Sequence, residues 1–267
     1  MCATCGCSGE AAPRHEHGPD PHDHSHVHGD GHEHDHDHEQ GHTRVPDIRK
    51  LEQQVLAKND RIARRTRAWL ADRRVLALNL VSSPGSGKTT LLERTIRDIG
   101  EDVDLAVIEG DQATSLDAER IRRTGVRAVQ VNTGTGCHLD AAMVADAIPR
   151  LDLTPGALLF VENVGNLVCP ALFDLGERAK VVVISVTEGE DKPLKYPHMF
   201  HASELVLLNK IDLLPHVDFD RPRFDSALRE VNPRARVVPV SAKDGTGLSE
   251  WYGWMRTVAR TPREVPS

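Results

Sequence analysis

The sequence predicts an α/β fold, a mostly parallel sheet flanked by helices, behind an N-terminal tail of different character. Seven short apolar runs appear, and several are rich in Val, Leu and Ile with no polar alternation, as expected of strands covered on both faces. Segments with helical spacing lie between many of them, the alternation that builds a parallel sheet. Residues 1–42, by contrast, hold almost no large apolar side chains.

The tail comes first. It contains 11 of the 15 histidines and three of the five cysteines. Nine acidic residues face one basic residue, Arg14, a net of −8 against −7 for the whole chain, which leaves +1 for the remainder. The folded part is therefore nearly neutral, which argues against a nucleic-acid binder. A segment of this composition cannot bury enough apolar surface to offset chain entropy and is expected to be disordered without metal.

Residues 43–74 form the second unit. Ile48, Leu51, Val55, Ile62 and Trp69 fall on a rough 3–4 spacing with Lys and Arg between them, which predicts a helix over 47–72, with Asp47 placed to cap it after Pro46. The third unit, 75–267, carries the predicted strands Val75–Val81, Val103–Ile108, Ala128–Val131, Ala157–Val164, Lys180–Val186, Leu205–Leu208 and Arg236–Val240. Helices are predicted at Thr89–Ile99, Ser115–Arg123, Leu139–Ile148, Phe224–Val231 and Leu248–Arg260. No apolar run reaches membrane-spanning length and no signal-peptide core is present, so no membrane partner and a cytoplasmic location are expected. In a reducing compartment the cysteines read as metal ligands or ordinary thiols before disulfides.

The stretch "NLVSSPGSGKTTLLE" places a Gly-rich turn between a strand and a helix. In such a turn Gly85-Ser86-Gly87 lets backbone N–H groups converge on phosphate oxygens, and the helix opened by Lys88-Thr89-Thr90 adds favourable partial charge. Lys88 would reach the β- and γ-phosphates and the Thr89 hydroxyl would ligate Mg²⁺. Ser82 stands where the usual first glycine does, a position that tolerates small residues.

The strand Leu205–Leu208 runs into Asn209-Lys210-Ile211-Asp212. A carboxylate at Asp212 can accept from the ring N–H and exocyclic amine of guanine, whereas adenine offers no matching pair of donors. A lost charged hydrogen bond costs roughly 1.5–3 kcal/mol, so GTP is the expected nucleotide. The Lys210 stem can lie over the base and Asn209 can tie this loop to the phosphate loop. Ser241-Ala242-Lys243 is placed to support base recognition. Glu162 stands where it can hold Mg²⁺ through water, Gly165 where its N–H can meet the γ-phosphate, and Asp111 is a second metal-side carboxylate. No residue type marks the group that orients the attacking water, so hydrolysis is expected to be slow.

Three features point to transition metals. Cys2, Cys5 and Cys7, with an amine freed by removal of Met1, can form a four-coordinate site for nickel(II) or zinc. The run from His15 to His42, densest at His22, His24, His26, His28, His32, His34, His36 and His38, offers imidazoles that bind nickel, zinc and copper alike. Cys137-His138 and Cys169 lie in predicted loops on the nucleotide side of the sheet, and two adjacent strand ends would bring them together. Cys169 is seven residues beyond Glu162, so a shift at Gly165 would reach it directly.

Together "SSPGSGKTTLLE", "EGDQAT", "GTGCHLDA", "ENVGNLVCP", "EGEDKPLKYP", "NKIDLL", the Cys2/Cys5/Cys7 motif and the His-rich tail resemble the hydrogenase nickel-incorporation GTPase family, HypB. The resemblance implies a SIMIBI-class P-loop GTPase that dimerises with GTP and delivers Ni²⁺ to the large subunit of [NiFe]-hydrogenase, with a HypA-type chaperone as partner. It implies an interface metal site at Cys137, His138 and Cys169 and a tight nickel site at Cys2, Cys5 and Cys7. A urease-type nickel GTPase, or a nickel store with a regulatory GTP site, are the alternative readings.

Overall fold

The computed structural model describes residues 48–111 and 116–261. The sites expected at Cys2, Cys5, Cys7 and His22–His38, and the Asp47 cap, lie outside these residues. Seven parallel strands form one sheet: β1 Leu76–Ser82, β2 Leu105–Asp111, β3 Arg127–Asn132, β4 Leu158–Glu162, β5 Ala179–Ser185, β6 Leu205–Asn209 and β7 Arg236–Pro239. Their spatial order is β3-β2-β4-β1-β5-β6-β7. Because every pairing is parallel, all seven carboxyl ends lie along one edge, where open α/β sheets bind ligands.

Nine helices connect and cover the strands among the described residues: α1 Ile48–Asp72, α2 Lys88–Ile99, α3 Leu116–Arg122, α4 Ala141–Ala147, α5 Cys169–Leu172, α6 Lys192–Lys195, α7 Pro197–Ala202, α8 Arg221–Val231 and α9 Leu248–Arg260. On one face, Leu78, Leu80, Phe160 and Val183 pack against Leu91 and Ile96 of α2 and Trp251, Met255 and Val258 of α9. Trp251 is buried with its indole N–H donating to Thr95 Oγ1 at 3.1 Å, so its one polar atom is satisfied. The opposite face holds two clusters. One joins Ala77, Ile108 and Val161 to Leu70 of α1 and Val144 of α4; the other joins Val182, Ile184 and Val206 to Phe200 of α7 and Phe224 of α8. Each such fully buried large side chain contributes roughly 1.5–3 kcal/mol relative to exposure.

All seven predicted strands form, with ends shifted by up to three residues: the strand expected over 157–164 stops at Glu162, and the one expected from 103 begins at Leu105. The helix expected from Leu139 begins at Ala141, because Asp140 caps it by accepting from Met143 N at 2.8 Å. The first helix forms, but its buried face differs from the expected one. Ile48, Leu51 and Val55 are exposed, while Asn59, Ala63, Thr66 and Leu70 are buried. On the second half of the helix the loop at Gly176 approaches closely: its φ is +88°, and a Cβ there would stand 2.8 Å from the Ala63 carbonyl oxygen and 2.9 Å from Thr66 Cβ. Only small side chains on α1 admit that contact. α1 also packs against α4.

Candidate nucleotide and metal site

The phosphate loop follows from the end of β1. Ser82 is buried, its hydroxyl donates to the Ser83 carbonyl at 2.9 Å, and its backbone is not left-handed, so a serine fits this position without strain. Gly87, at φ +89°, caps α2, and a Cβ there would meet Asn209 Nδ2 at 2.7 Å. The start of α2 therefore presents its free N–H groups to a cleft of about 600 Å³. Residues 82–90, 109–111 and 162–165 line the cleft, with Arg120 and Lys210.

Lys88 Nζ donates to Glu162 Oε1 at 3.1 Å and to the Asn163 carbonyl, and Thr89 Oγ1 donates to the same Glu162 oxygen at 2.6 Å. Glu162 is 2% exposed, and its Oε2 has no hydrogen-bond partner among the described residues; nor has Ser86 Oγ. A buried carboxylate oxygen without a partner is costly. With the Thr89 hydroxyl beside it and the Asp111 carboxylate in the same cleft, the donors are hard oxygens of the kind Mg²⁺ takes, so the residues fit that ion. Gly165 lies on the phosphate loop: a Cβ there would stand 3.3 Å from Pro84.

Asn209 Nδ2 donates to the Ser86 carbonyl at 3.0 Å, and its Oδ1 accepts from Ala242 N at 3.3 Å, so one side chain ties both loops. Lys210 sits at φ +62°, a conformation that costs a non-glycine residue about 1 kcal/mol, and its ammonium donates to the Gly85 carbonyl at 2.6 Å. Ser241 Oγ donates to Asp212 Oδ1 at 2.9 Å and fixes the carboxylate. Lys243 is exposed in the same loop.

Cys137, His138 and Cys169 meet, with one ligand atom from each lying within 4.8 Å of the others. The two sulfurs are 3.1 Å apart, and Cys137 Sγ is 3.7 Å from His138 Nδ1. Cys169 is fully buried; the other two are half-buried. The expectation that adjacent strand ends bring them together is wrong. Cys137 follows β3 and Cys169 follows β4, and β2 lies between those strands. The loops close the gap instead, over the end of β2. The His138 ring packs on Phe173, with centroids 4.0 Å apart. Burial holds the His138 imidazole below its ordinary pKa, against the opposing pull of Asp140, so at neutral pH it is uncharged and able to ligate. Two thiols and an imidazole suit a borderline or soft cation rather than Mg²⁺.

Residues 76–239 match the family model described as CobW/HypB/UreG, nucleotide-binding domain. The hydrogenase maturation factor HypB of Escherichia coli strain K12 is 60% identical over 208 residues, 78% of this chain and 72% of that protein. The chain belongs to the HypB family. The hydrogenase maturation factor HypB of Azotobacter vinelandii is 62% identical over 206 residues, 77% of this chain and 68% of that protein. A crystal structure of HypB from Helicobacter pylori in complex with nickel superposes with a TM-score of 0.71 at 35% identity, covering 78% of this chain and all of that one.

Several residues of this HypB-family chain that shape the site escaped the sequence reading. Glu109 and Arg120 line the cleft. Asn163 and Asn166 hydrogen-bond to the Cys137–Leu139 loop. Asn59, buried on α1, accepts from Ala141 N at 2.8 Å and donates to the Asp174 carbonyl at 2.8 Å, which ties together the segments that follow Cys137 and Cys169. A signal existed for it: Asn59 stands four residues after Val55 and three before Ile62, a polar residue inside an apolar stripe. No helix among the described residues is long and apolar enough to cross a membrane.

Proposed function

We propose that this chain is a GTP-hydrolysing nickel metallochaperone that binds Ni²⁺ and delivers it to the large subunit of [NiFe]-hydrogenase during maturation. The observation that carries this reading is the segment Glu162–Cys169. Its first residue meets Lys88 and Thr89 in the phosphate cleft, and its last is a buried thiol of the Cys137–His138–Cys169 cluster. The relatives support it: one is a hydrogenase maturation factor, and another is a HypB in complex with nickel.

In this reading Lys88 binds the β- and γ-phosphates, and Asp212, supported by Asn209, Lys210 and Ser241–Lys243, reads guanine. Thr89, Glu162 and Asp111 hold Mg²⁺, which when bound offsets charge on the β- and γ-phosphate oxygens. Intrinsic turnover is slow. The three-ligand cluster leaves positions that a second copy fills in a GTP-dependent homodimer, with Ni²⁺ as cargo and Zn²⁺ as competitor. The His-rich residues 1–42 act as a reservoir with a tight site at Cys2, Cys5 and Cys7. A HypA-type chaperone is the proposed partner and the cytoplasm the proposed location.

The test is nickel affinity in two guanine states. In the full chain carrying Cys2→Ser, Cys5→Ser and Cys7→Ser, Cys137 and Cys169 are the remaining thiols, so thiolate-to-nickel charge-transfer absorption reports that pair alone. With free Ni²⁺ set by a chelator buffer, affinity is expected to differ by about 5–150-fold between GDP and a non-hydrolysable GTP analogue, the usual range for coupled sites. Cys169→Ser should abolish most of the signal. Equal affinity in both states would sink the carrier reading.

A further inference from the structure

Cys169 reaches the phosphate cleft through the chain itself, but Cys137 and His138 belong to another loop, 24 or more residues away, and need a link of their own. We propose that Asn163 and Asn166 form that link, a two-point strap that carries the nucleotide state to Cys137 and His138; the proposal rests on the nickel-carrier reading and adds its mechanical part. The two amides bracket His138. Asn166 Nδ2 donates to the Cys137 carbonyl at 3.3 Å, on the N-terminal side. Asn163 Oδ1 accepts from Leu139 N at 3.1 Å, on the C-terminal side. Both side chains are also tied within their own segment: Asn163 Oδ1 accepts from Val164 N at 3.0 Å, and Asn166 Oδ1 accepts from Val168 N at 2.8 Å, next to Cys169.

The other end of the strap lies on the phosphate loop. The Asn163 carbonyl accepts from Lys88 Nζ, and Gly165, between the two asparagines, rests against Pro84. A lysine that turns toward a terminal phosphate withdraws a charged donor from Asn163, and a glycine N–H that meets that phosphate moves the middle of the strap. Asn163 is 1% exposed and donates to Asn79 Oδ1 at 3.3 Å, so its displacement must be taken up by the partners it holds rather than by solvent. The backbone on both sides of His138 then shifts with it. The three metal ligands respond to the nucleotide together, although two of them lie far from the phosphate-sensing segment in sequence.

The asparagine amide is suited to this role because it donates and accepts at once. Asn166→Asp keeps the acceptor for Val168 N but loses the donor to Cys137, and it sets a carboxylate against that carbonyl. In the full chain with the three tail cysteines replaced by serine, this variant is expected to bind GDP within about twofold of the parent and to give the same charge-transfer band. The ratio of nickel affinities between the GTP-analogue and GDP states should fall to less than about threefold, below the range of coupled sites. Asn163→Ala should do the same; it is buried, so its folding is checked by nucleotide binding, and Asn166→Asp at the half-buried position decides the matter if it fails. A parent ratio that survives in Asn166→Asp overturns the strap while leaving the carrier intact. A parent ratio of one removes the coupling itself, and both readings with it.

Discussion

The phosphate cleft and the Cys137–His138–Cys169 cluster lie on the same edge of the sheet, yet they are built by different means. The cleft is mainly local: β1, a turn with Gly85 and Gly87 in left-handed backbone, and the N-terminus of α2 follow one another in the chain. The cluster is tertiary. Its ligands come from loops after β3 and β4, which are not neighbours, and Asn59, Asn163, Asn166 and Phe173 hold those loops in place. A site set mainly by local backbone geometry depends less on its surroundings, although here Asn209 and Lys210 also hold it. A site made by side chains on loops moves with whatever those side chains touch, and that suits a metal that must be held and then released.

The largest effect should come from breaking the cleft alone. Lys88→Ala removes the ammonium aimed at the phosphates and leaves the buried Glu162 without its cation. GTP hydrolysis is expected to fall by about 10²–10³-fold, the usual result of losing one preorganised donor to a developing charge. Nickel should still bind the Cys137–Cys169 pair in the GDP state, because no ligand is lost, with its affinity shifted toward that of the GTP-analogue state, because Asn163 has lost the Lys88 donor. Loss of both together would mean the two regions form one inseparable site, and the contrast between them would be wrong.

The same contrast explains what was legible in the sequence. The central strands were readable because a buried parallel strand announces itself by a near-continuous Val/Leu/Ile run, and the glycines, Lys88 and Asp212 were readable because their spacing is fixed by the chain. Metal-ligand chemistry marked Cys137, His138 and Cys169, but not how they meet: the β3-β2-β4 order is a property of the whole sheet. The face of α1 was misjudged because its apolar stripe, Ile48, Leu51 and Val55, is exposed. The packed half lies further along, where Gly176, more than a hundred residues away in sequence, comes against Ala63 and Thr66. Asn163 and Asn166 were visible as letters, but the loop they bind lies 24 to 29 residues upstream.

A middle-sized effect sharpens the nucleotide side. Asp212→Asn turns an acceptor that Ser241 holds in place into an amide whose NH₂ meets the guanine amine. GTP affinity should fall by about 10–150-fold, the equivalent of a lost charged hydrogen bond at roughly 1.5–3 kcal/mol. XTP, which carries a carbonyl where guanine has the amine, should recover part of that loss with the variant and not with the parent. Titration of both nucleotides against both proteins checks it; an unchanged GTP affinity would remove Asp212 from base reading.

The smallest effect tests the support beneath the metal cluster. Arg67 Nη2 donates to both carboxylate oxygens of Asp174 at 2.5 Å, and the Asp174 carbonyl receives Asn59. Burial pushes the Asp174 carboxyl up, but the Arg67 guanidinium and the Gly176 amide outweigh it and hold the pKa below its ordinary value. A depressed carboxyl stabilises the fold above the unfolded pKa and loses that contribution as pH falls through the folded one. Asp174→Asn should therefore lower stability by about 1 kcal/mol at neutral pH, a modest figure because the pair is partly exposed to solvent. The difference between variant and parent should shrink as the solution is acidified below the usual carboxylate range, which urea unfolding at several pH values would show. Since α1 holds the cysteine loops and not the phosphate loop, nickel affinity should fall more than GDP affinity in this variant. If both fell equally, α1 would be a support for the whole sheet edge, and the division between a locally built cleft and a movable cluster would have to be drawn elsewhere.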